Sequence, residues 1–158
     1  YTQVDAVTGT STGVYTPGHS GLNANAYAHE FTPSTSYTIT RVDLSLSKTG
    51  TIPMTYTCEI ITQSGSLPST LVGSASAALG DSSISLTEAD VSFYPTAAVT
   101  SGTPYYVVLR ASSTHATLYA SWHRVTVNGR IDVYNALGPV WTNASTTRKV
   151  KFKTYSSP

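Results

Sequence analysis

Short runs of alternating apolar and polar residues recur along most of the chain, and they predict β-strands. The pattern has a period of two, with β-branched and aromatic residues at the apolar positions, which is typical of half-buried strands. The predicted strands span residues 27–31, 37–47, 54–60, 71–78, 84–86, 91–94, 105–111, 118–123 and 150–155. Only residues 87–90 have the character of a helical turn.

Two segments carry detailed predictions about side-chain direction. Between residues 37 and 47 the apolar positions change parity after Ile39, which predicts a β-bulge near Thr40 and Arg41. Between residues 54 and 60 every even position is apolar, so these side chains should face the core. Cys58 belongs to this set, and we therefore interpret it as a small core residue rather than a reactive thiol.

Turn residues separate the predicted strands at short intervals. Asn128-Gly129 favours a two-residue hairpin between residues 124–127 and 130–134, and Ser64-Gly65 predicts another turn. Many short strands joined by such turns predict an all-β fold, a two-layer antiparallel β-sandwich with jelly-roll connectivity. No repeat or linker interrupts the pattern, so residues 1–158 are expected to form a single domain.

The two ends of the chain carry strands with different implications. Basic residues alternate with Val150 and Phe152 in the last strand, which favours a blunted sheet edge, with a patch for an anionic partner as the alternative. Residues 2–7 have the pattern of a short strand. That strand would close the chain's own sandwich or lie along the sheet edge of a neighbouring copy.

The composition of the chain indicates where the protein is located. Charged residues are 11% of the chain, against about 25% in ordinary soluble domains, while Ser and Thr are about three residues in ten. A net charge of +1 gives no electrostatic reason to expect nucleic acid, and no apolar run predicts a membrane span. The sequence begins at Tyr1, for which we expect cleavage of a signal peptide or propeptide, and Asn143-Ala-Ser145 is a glycosylation acceptor. We therefore expect an extracellular, cell-surface or virion-surface protein.

The residues that usually perform catalysis fall in no known motif. None of the four histidines lies in a nucleophile motif, and Cys58 is the sole cysteine. The eight acidic residues form no pair that the sequence alone identifies as catalytic. We therefore predict that the protein is not an enzyme and needs no cofactor. A structural calcium ion bound by Glu88 and Asp90 is the one metal site that the sequence suggests, against a solvated turn as the alternative.

Several short motifs resemble a family of β-sandwich modules found in bacterial exported proteins and phage structural proteins. They are Tyr-Ala-His-Glu-Phe at 27–31, Tyr-Thr-Ile-Thr-Arg-Val-Asp-Leu-Ser-Leu at 37–46, Gly-Ser-Leu-Pro-Ser at 65–69, Ser-Gly-Thr-Pro-Tyr-Tyr-Val-Val-Leu at 101–109, Tyr-Asn-Ala-Leu-Gly-Pro-Val-Trp at 134–141 and Phe-Lys-Thr-Tyr at 152–155. Such modules are similar to carbohydrate-binding jelly rolls without catalytic residues. The resemblance implies a sandwich that binds a glycan or a structural partner.

The two tryptophans receive different interpretations. Trp122 shares its parity with the apolar residues Leu118 and Ala120, so it should lie in the core. Trp141 follows Gly138-Pro139 in an irregular stretch, where it would either stack on a sugar or close the open end of the sandwich. Glycan contacts are predicted at Trp141, Tyr134, Asn135, Tyr119 and His123.

Two functional hypotheses follow from the sequence. In the first, the protein is a non-catalytic surface module that recognises glycans or mediates adhesion. In the second, it is a structural assembly subunit, either a phage capsid decoration protein or a subunit of a pilus-like filament that assembles by strand addition. The second hypothesis implies contacts between subunits, including homo-oligomers.

Overall fold

The computed structural model describes residues 1–135 and 140–157, and these residues form fourteen strands and two short 3-10 turns. The strands are β1 (Thr2–Val7), β2 (Gly13–Tyr15), β3 (Ala24–Phe31), β4 (Tyr37–Lys48), β5 (Tyr56–Ser64), β6 (Leu67–Leu71), β7 (Ala89–Phe93), β8 (Ala97–Val99), β9 (Tyr105–Ala111), β10 (Ala120–Val125), β11 (Ile131–Asn135), β12 (Trp141–Ser145), β13 (Lys149–Val150) and β14 (Phe152–Ser156). The 3-10 turns are Ser20–Leu22 and Asp81–Ser83.

Two curled antiparallel sheets pack face to face as a β-sandwich, which confirms the predicted fold class. The eight-stranded sheet has the order β1-β14-β4-β10-β13, with β7 and β8 also paired to β4 and β2 paired to β10. The six-stranded sheet has the order β12-β11-β3-β9-β5-β6. The jelly-roll connectivity stays a prediction.

The core lies between the two sheets and follows the predicted alternation. Met54, Tyr56, Cys58 and Ile60 are all buried on the inner face of the six-stranded sheet and the segment leading into it. Burial raises the pKa of the Cys58 thiol, so this residue is the inert core cysteine that the pattern predicted. Trp122 is also fully buried, and its indole Nε1 donates to the carbonyl of Lys151 at 3.0 Å.

The predicted bulge in β4 is confirmed by the register with β14. Tyr155 pairs with Arg41 and Ser156 pairs with Ile39, so Thr40 is the extra residue in β4. The bulge lets Ile39 and Val42 both face the core despite their opposite parity, and both are fully buried.

The six-stranded sheet buries apolar residues on both faces. On the face turned away from the sandwich core, called the outer face below, a second cluster contains Ala26, Ala28, Ile61, Tyr106 and Val108. The sheet curls over this face, because Cα atoms of the two edge strands β6 and β12 come within 8 Å of each other. This double burial explains why β9 is an almost continuous apolar run rather than an alternating one.

The predicted hairpin at Asn128-Gly129 is wrong. Strand β10 belongs to the eight-stranded sheet, whereas β11 pairs with β3 and β12 in the other sheet. A type I′ hairpin turn requires positive φ at both central residues, and neither Asn128 nor Gly129 has it. The segment therefore crosses between the two sheets. The turn with positive φ at both positions lies at Gly65-Ser66, between β5 and β6.

Three further local predictions are corrected. Residues 72–78 form no strand, because the chain turns at Gly73, where φ is +65° and a Cβ would lie 1.9 Å from the Thr96 carbonyl oxygen. Residues 84–86 form none either, because Asp81 accepts from the Ile52 N–H at 2.8 Å and holds the preceding segment as a 3-10 turn. The helical turn predicted at residues 87–90 is replaced by the start of β7, which pairs with β4.

The ends of the chain pair with each other. Strand β1 runs antiparallel to β14 in the same chain, and β14 lies between β1 and β4. The interpretation of the basic last strand as a blunted edge is therefore wrong for β14. Lys151 and Lys153 instead form ion pairs with Glu88 and Asp90, which the pattern along one strand does not reveal. Among the described residues, no helix is both long enough and apolar enough to cross a membrane.

One buried histidine makes the stability of the fold sensitive to pH. His29 is 1% exposed, its ring packs edge-on against Phe152 at 5.2 Å, and neither ring nitrogen has a hydrogen-bond partner among the described residues. Burial, together with the positive charge of Lys149, lowers the pKa of His29 from 6.5 to about 3. The unfolded chain therefore binds a proton below pH 6.5 that the folded protein does not bind.

We expect the free energy of unfolding to fall between pH 6.5 and about 3, by up to about 1.4 kcal/mol per pH unit from this one group. Urea unfolding of wild type and His29→Leu at pH 7 and pH 5 measures the effect. The variant should lose less stability between the two pH values, because every other titratable group is the same in both proteins. Equal losses would contradict the assignment.

Candidate functional site

The register of the six-stranded sheet places Trp141, Tyr134 and Arg110 in one line across the outer face. Trp141 pairs with Tyr134, Tyr134 pairs with Ala26, and Ala26 pairs with Arg110. Residues directly opposite one another on neighbouring strands share a face of the sheet. We call Trp141, Tyr134 and Arg110 the aromatic row.

The side chains of the aromatic row contact one another above Ala26. The rings of Tyr134 and Trp141 meet edge to face, with centroids 5.2 Å apart. The Arg110 guanidinium carbon lies 5.1 Å from the Tyr134 centroid and 5.9 Å from the Trp141 centroid. Ala26 is fully buried between Tyr134 and Arg110, and its small side chain leaves the space in which they meet.

A carboxylate holds the guanidinium in place. Glu59 on β5 accepts from Arg110 Nε at 2.8 Å and from Nη2 at 3.1 Å, a two-pronged pair that orients the guanidinium plane. The Arg110 side chain is still 30% exposed, so part of it faces solvent. The aromatic row therefore presents two half-buried rings and a guanidinium whose position is held by Glu59 from the neighbouring strand.

Polar side chains adjoin the aromatic row on the same face. Arg130 donates to both carboxylate oxygens of Asp132, at 2.9 and 3.0 Å. Further along, the Tyr106 hydroxyl donates to the Ser66 carbonyl at 3.0 Å and lies 3.3 Å from Glu30, which also accepts from Gln63. This face thus combines aromatic rings with hydrogen-bonding groups in fixed positions, the composition that suits a polar ligand with apolar C–H faces.

The structure brings together two of the five predicted contact residues, Trp141 and Tyr134, whose rings touch. Asn135 follows Tyr134 at the end of β11, but it pairs with Ala24 of the inner core and therefore lies on the other face of the sheet. Its N–H donates to the Val140 carbonyl at 3.2 Å. Trp141 does not lie in an irregular loop, because it begins β12 and packs on the outer cluster rather than at the open end of the sandwich. Gly138 and Pro139, which precede Trp141 in the predicted irregular stretch, lie outside the described residues.

Tyr119 and His123, also predicted as contact residues, lie away from the aromatic row, and each is half-buried rather than exposed. The Tyr119 ring packs edge-on against His19, with centroids 4.5 Å apart. His123 is on β10 in the eight-stranded sheet, with its side chain only 15% exposed. Neighbouring side chains thus partly cover both residues.

His123 belongs to a polar cluster that the sequence did not predict, which we call the Glu88 network. Its Nδ1 lies 3.2 Å from a carboxylate oxygen of Glu88, and its Nε2 lies 2.8 Å from the Ser47 hydroxyl. Lys151, Ser11 and Ser45 share the same carboxylate. Glu88, Ser47 and His123 come from distant parts of the chain, and no spacing between them indicates that they meet.

The order Ser47, His123 and Glu88 has the hydrogen-bond sequence of a hydrolase triad. The surroundings differ from such a site in two ways. Ser47 lies within the paired part of β4, opposite Ser121 on β10, whereas a nucleophilic serine needs free N–H donors beside it for the oxyanion. Glu88 is also bound to Lys151, whose positive charge offsets that of the carboxylate. In a triad, the carboxylate stabilises the protonated histidine with its full negative charge.

Glu88 and Asp90, the predicted calcium ligands, each have a lysine as partner. Glu88 binds Lys151 and Asp90 binds Lys153. The described residues contain no group of three or more His, Cys, Asp or Glu side chains placed to hold a metal ion. Calcium binding at this position stays a prediction, and it would require both ammonium groups to move away.

An open depression of about 560 Å³ lies beside the Glu88 network, between it and residues 7–11. A second depression of about 520 Å³ lies on the other side of the same segment, against Val125, Val127 and Lys149. Neither depression includes the aromatic row. We base the candidate site on the aromatic row because it combines two packed rings with an oriented ion pair, whereas the larger depression is lined by charges that already neutralise each other.

Asn143, the predicted glycosylation acceptor, lies on β12 two residues from Trp141 and therefore on the same face. Its side chain is exposed, and its amide nitrogen is within 3.3 Å of the Ile131 carbonyl. A glycan attached there would adjoin the aromatic row.

No protein-family model and no curated protein matches this chain. The case for a function therefore depends on the geometry of the aromatic row and on the chemistry of its side chains.

The Glu88 network predicts how the pKa of His123 responds to substitution. Burial lowers this pKa, Glu88 raises it, and Lys151 lowers it further. Glu88→Gln removes the negative charge that raises the pKa of His123, so this pKa should fall further below its value in the wild type. Histidine ring signals followed by NMR across a pH titration measure the change.

Asp90→Asn is the matched control, because Asp90 contacts Lys153 rather than His123. It should leave the His123 titration close to that of the wild type. A pKa that stays constant or rises in Glu88→Gln would show that the two side chains do not interact in solution.

Proposed function

We propose that this protein is a non-catalytic module of an exported protein or a virion surface, and that it recognises glycans through the aromatic row. The observation that carries the proposal is the Arg110 guanidinium, which lies beside the rings of Tyr134 and Trp141 while Glu59 holds it from the other side. The alternative function is that of an assembly subunit.

The chemistry of a sugar ring matches these groups. One face of a pyranose carries C–H groups that pack on an aromatic ring, and its edge carries hydroxyls that pair with charged and amide side chains. In such an ion pair the guanidinium donates and the carboxylate accepts, and the pairing holds both groups in one plane, so little side-chain entropy is lost when a hydroxyl binds. Trp141 and Tyr134 supply the stacking surface, and Arg110 and Glu59 supply the hydrogen bonds.

The surface composition also supports a neutral ligand. The chain has few charged residues and a net charge of +1, and the charged side chains of the site pair with each other. Such a surface does not attract polyanions from a distance. A hydroxyl-rich surface is compatible with an environment outside the cell.

We expect Trp141→Ala to weaken glycan binding at least tenfold, about 1.4 kcal/mol, because the stacking surface is lost. A glycan array with wild type selects the ligand, and calorimetry compares the variants. Trp141→Phe should retain part of the affinity, since a ring remains. Arg110→Lys should weaken binding despite its unchanged charge, because a lysine cannot form the two-pronged pair with Glu59.

Leu86→Ala is the control, since Leu86 is an exposed apolar residue, 68% accessible, that contacts neither the aromatic row nor its ion pair. Its affinity should equal that of the wild type. The proposal fails if wild type binds no glycan more tightly than about 1 mM, the level of a weak nonspecific contact.

One observation favours the assembly hypothesis. Strand β1 ends the order of the eight-stranded sheet, so one edge of its backbone has no partner strand within the described chain. The segment contains neither lysine nor proline, two common devices against strand addition. An added strand from another copy, in a capsid decoration or a filament, would bind at this edge rather than replace β1.

If strand addition operates, sedimentation from nanomolar to high micromolar concentration should detect oligomers of wild type. Deletion of residues 1–8 should abolish them, with circular dichroism confirming that the remaining sheet is folded. A wild-type protein that is monomeric at every concentration would end the assembly hypothesis and leave the glycan proposal intact.

A further inference from the structure

A second group of exposed aromatic side chains surrounds an arginine on the outer face of the eight-stranded sheet. Arg41 on β4 pairs in register with Tyr155 on β14, and its guanidinium carbon lies 4.7 Å from the Tyr155 ring centroid and 5.6 Å from that of Tyr1. The Tyr1 ring tilts towards Tyr94, with centroids 6.3 Å apart. We call Tyr1, Tyr94 and Tyr155 with Arg41 the tyrosine cluster.

An ion pair orients the arginine of the tyrosine cluster. Asp43 accepts from Arg41 Nε at 2.8 Å and from Nη2 at 2.7 Å, and it also accepts from the Ser92 hydroxyl at 2.8 Å. Asp43 is 3% exposed, whereas the Arg41 side chain is 28% exposed. Asp43 therefore fixes the position of the guanidinium, while part of the Arg41 side chain stays accessible to solvent.

Two rings of this cluster are more accessible than those of the aromatic row. Tyr1 is 58% exposed and Tyr94 is 55% exposed, whereas Tyr155, Tyr134 and Trp141 are half-buried. Their two planes are inclined at 52°, so together they form a shallow wedge beside Arg41. Two exposed tyrosines next to an oriented guanidinium form an aromatic surface with hydrogen-bonding groups at its margin.

The two outer faces thus carry the same combination of groups. In each, a carboxylate holds an arginine through a two-pronged pair, and aromatic rings pack beside the guanidinium. The pairs are Arg110 with Glu59 on the six-stranded sheet and Arg41 with Asp43 on the eight-stranded sheet. No residue is shared between them.

We propose that the tyrosine cluster is a second glycan-binding site, and that one copy of this chain is bivalent. The inference rests on the proposed function of the aromatic row for the class of ligand, a neutral oligosaccharide. Tyr94 and Tyr1 supply the stacking surface for a sugar ring, and Arg41 donates to its hydroxyls. The charge of Arg41 is neutralised by Asp43, which favours a neutral sugar over an acidic one.

The distance between the two sites determines whether they bind one glycan chain or two. They lie on opposite outer faces of a sandwich whose sheets pack about 10 Å apart, before the thickness of the side chains is added. One sugar ring cannot touch both sites. Two glycan chains are therefore joined through one protein, and a surface bearing many glycans is bound with avidity.

The experiment compares wild type with Tyr94→Ala, Trp141→Ala and the double variant. Calorimetry with a panel of cellohexaose, xylohexaose, mannohexaose and galactotetraose gives affinity and stoichiometry. Agglutination of beads that carry the tightest-binding member reports cross-linking. Leu86→Ala is the control variant, and sedimentation confirms that the protein is a monomer. Tyr94 is exposed and on no strand, so its removal should not disturb folding.

We expect two sugars per wild-type chain and agglutination of the beads. Each single variant should bind one sugar and lose agglutination, while the double variant should bind none. With ring-labelled tyrosine, the Tyr94 signal of Trp141→Ala should shift on addition of the same sugar.

The other outcomes separate the two proposals. If wild type binds one sugar and Trp141→Ala binds none, the second site is overturned while the aromatic row stands. If Tyr94→Ala abolishes binding and Trp141→Ala has no effect, the aromatic row is overturned and the tyrosine cluster alone is the site. If no member of the panel binds, the bivalent proposal is overturned.

Discussion

The burial of both faces of the six-stranded sheet is the constraint on which the rest of the structure depends. Its inner face packs against the other sheet, and its outer face closes over Ala26, Ala28 and Val108 as the edge strands approach each other. A flat sheet would leave these residues in water. The curl brings β12 towards the strands that carry Arg110 and Glu59, so the candidate site is a consequence of the way the sheet hides its second apolar face.

Small residues and ion pairs together shape this surface. Ala26 leaves room for the guanidinium of Arg110 beside the Tyr134 ring, where a larger residue would separate them. The charges at both outer faces occur in oriented pairs, which lowers the cost of holding them partly out of water. A chain with few charged residues thus keeps several of them in defined positions on otherwise hydroxyl-rich faces.

The Glu88 network has a different role. It ties residues near the start of β2 to the turn before β7 and to the end of the chain, through Ser11, Glu88 and Lys151. Together with the pairing of β1 and β14, it fastens the two ends of the chain to one sheet. His123 and Ser47 complete the network from β10 and β4, so it joins five segments that are distant in sequence.

The sequence by itself determined the features that depend on local alternation. Strand type, the burial of Trp122 and Cys58, and the bulge at Thr40 all follow from which positions are apolar, because side chains alternate strictly along a strand. Only the tertiary structure decided which strands pair. Asn128-Gly129 permits a hairpin, but the chain crosses between sheets there, since β10 and β11 each find their partners elsewhere. Arg110, Glu59, Tyr134 and Trp141 meet for the same reason, because contacts across strands depend on a register that no local pattern encodes.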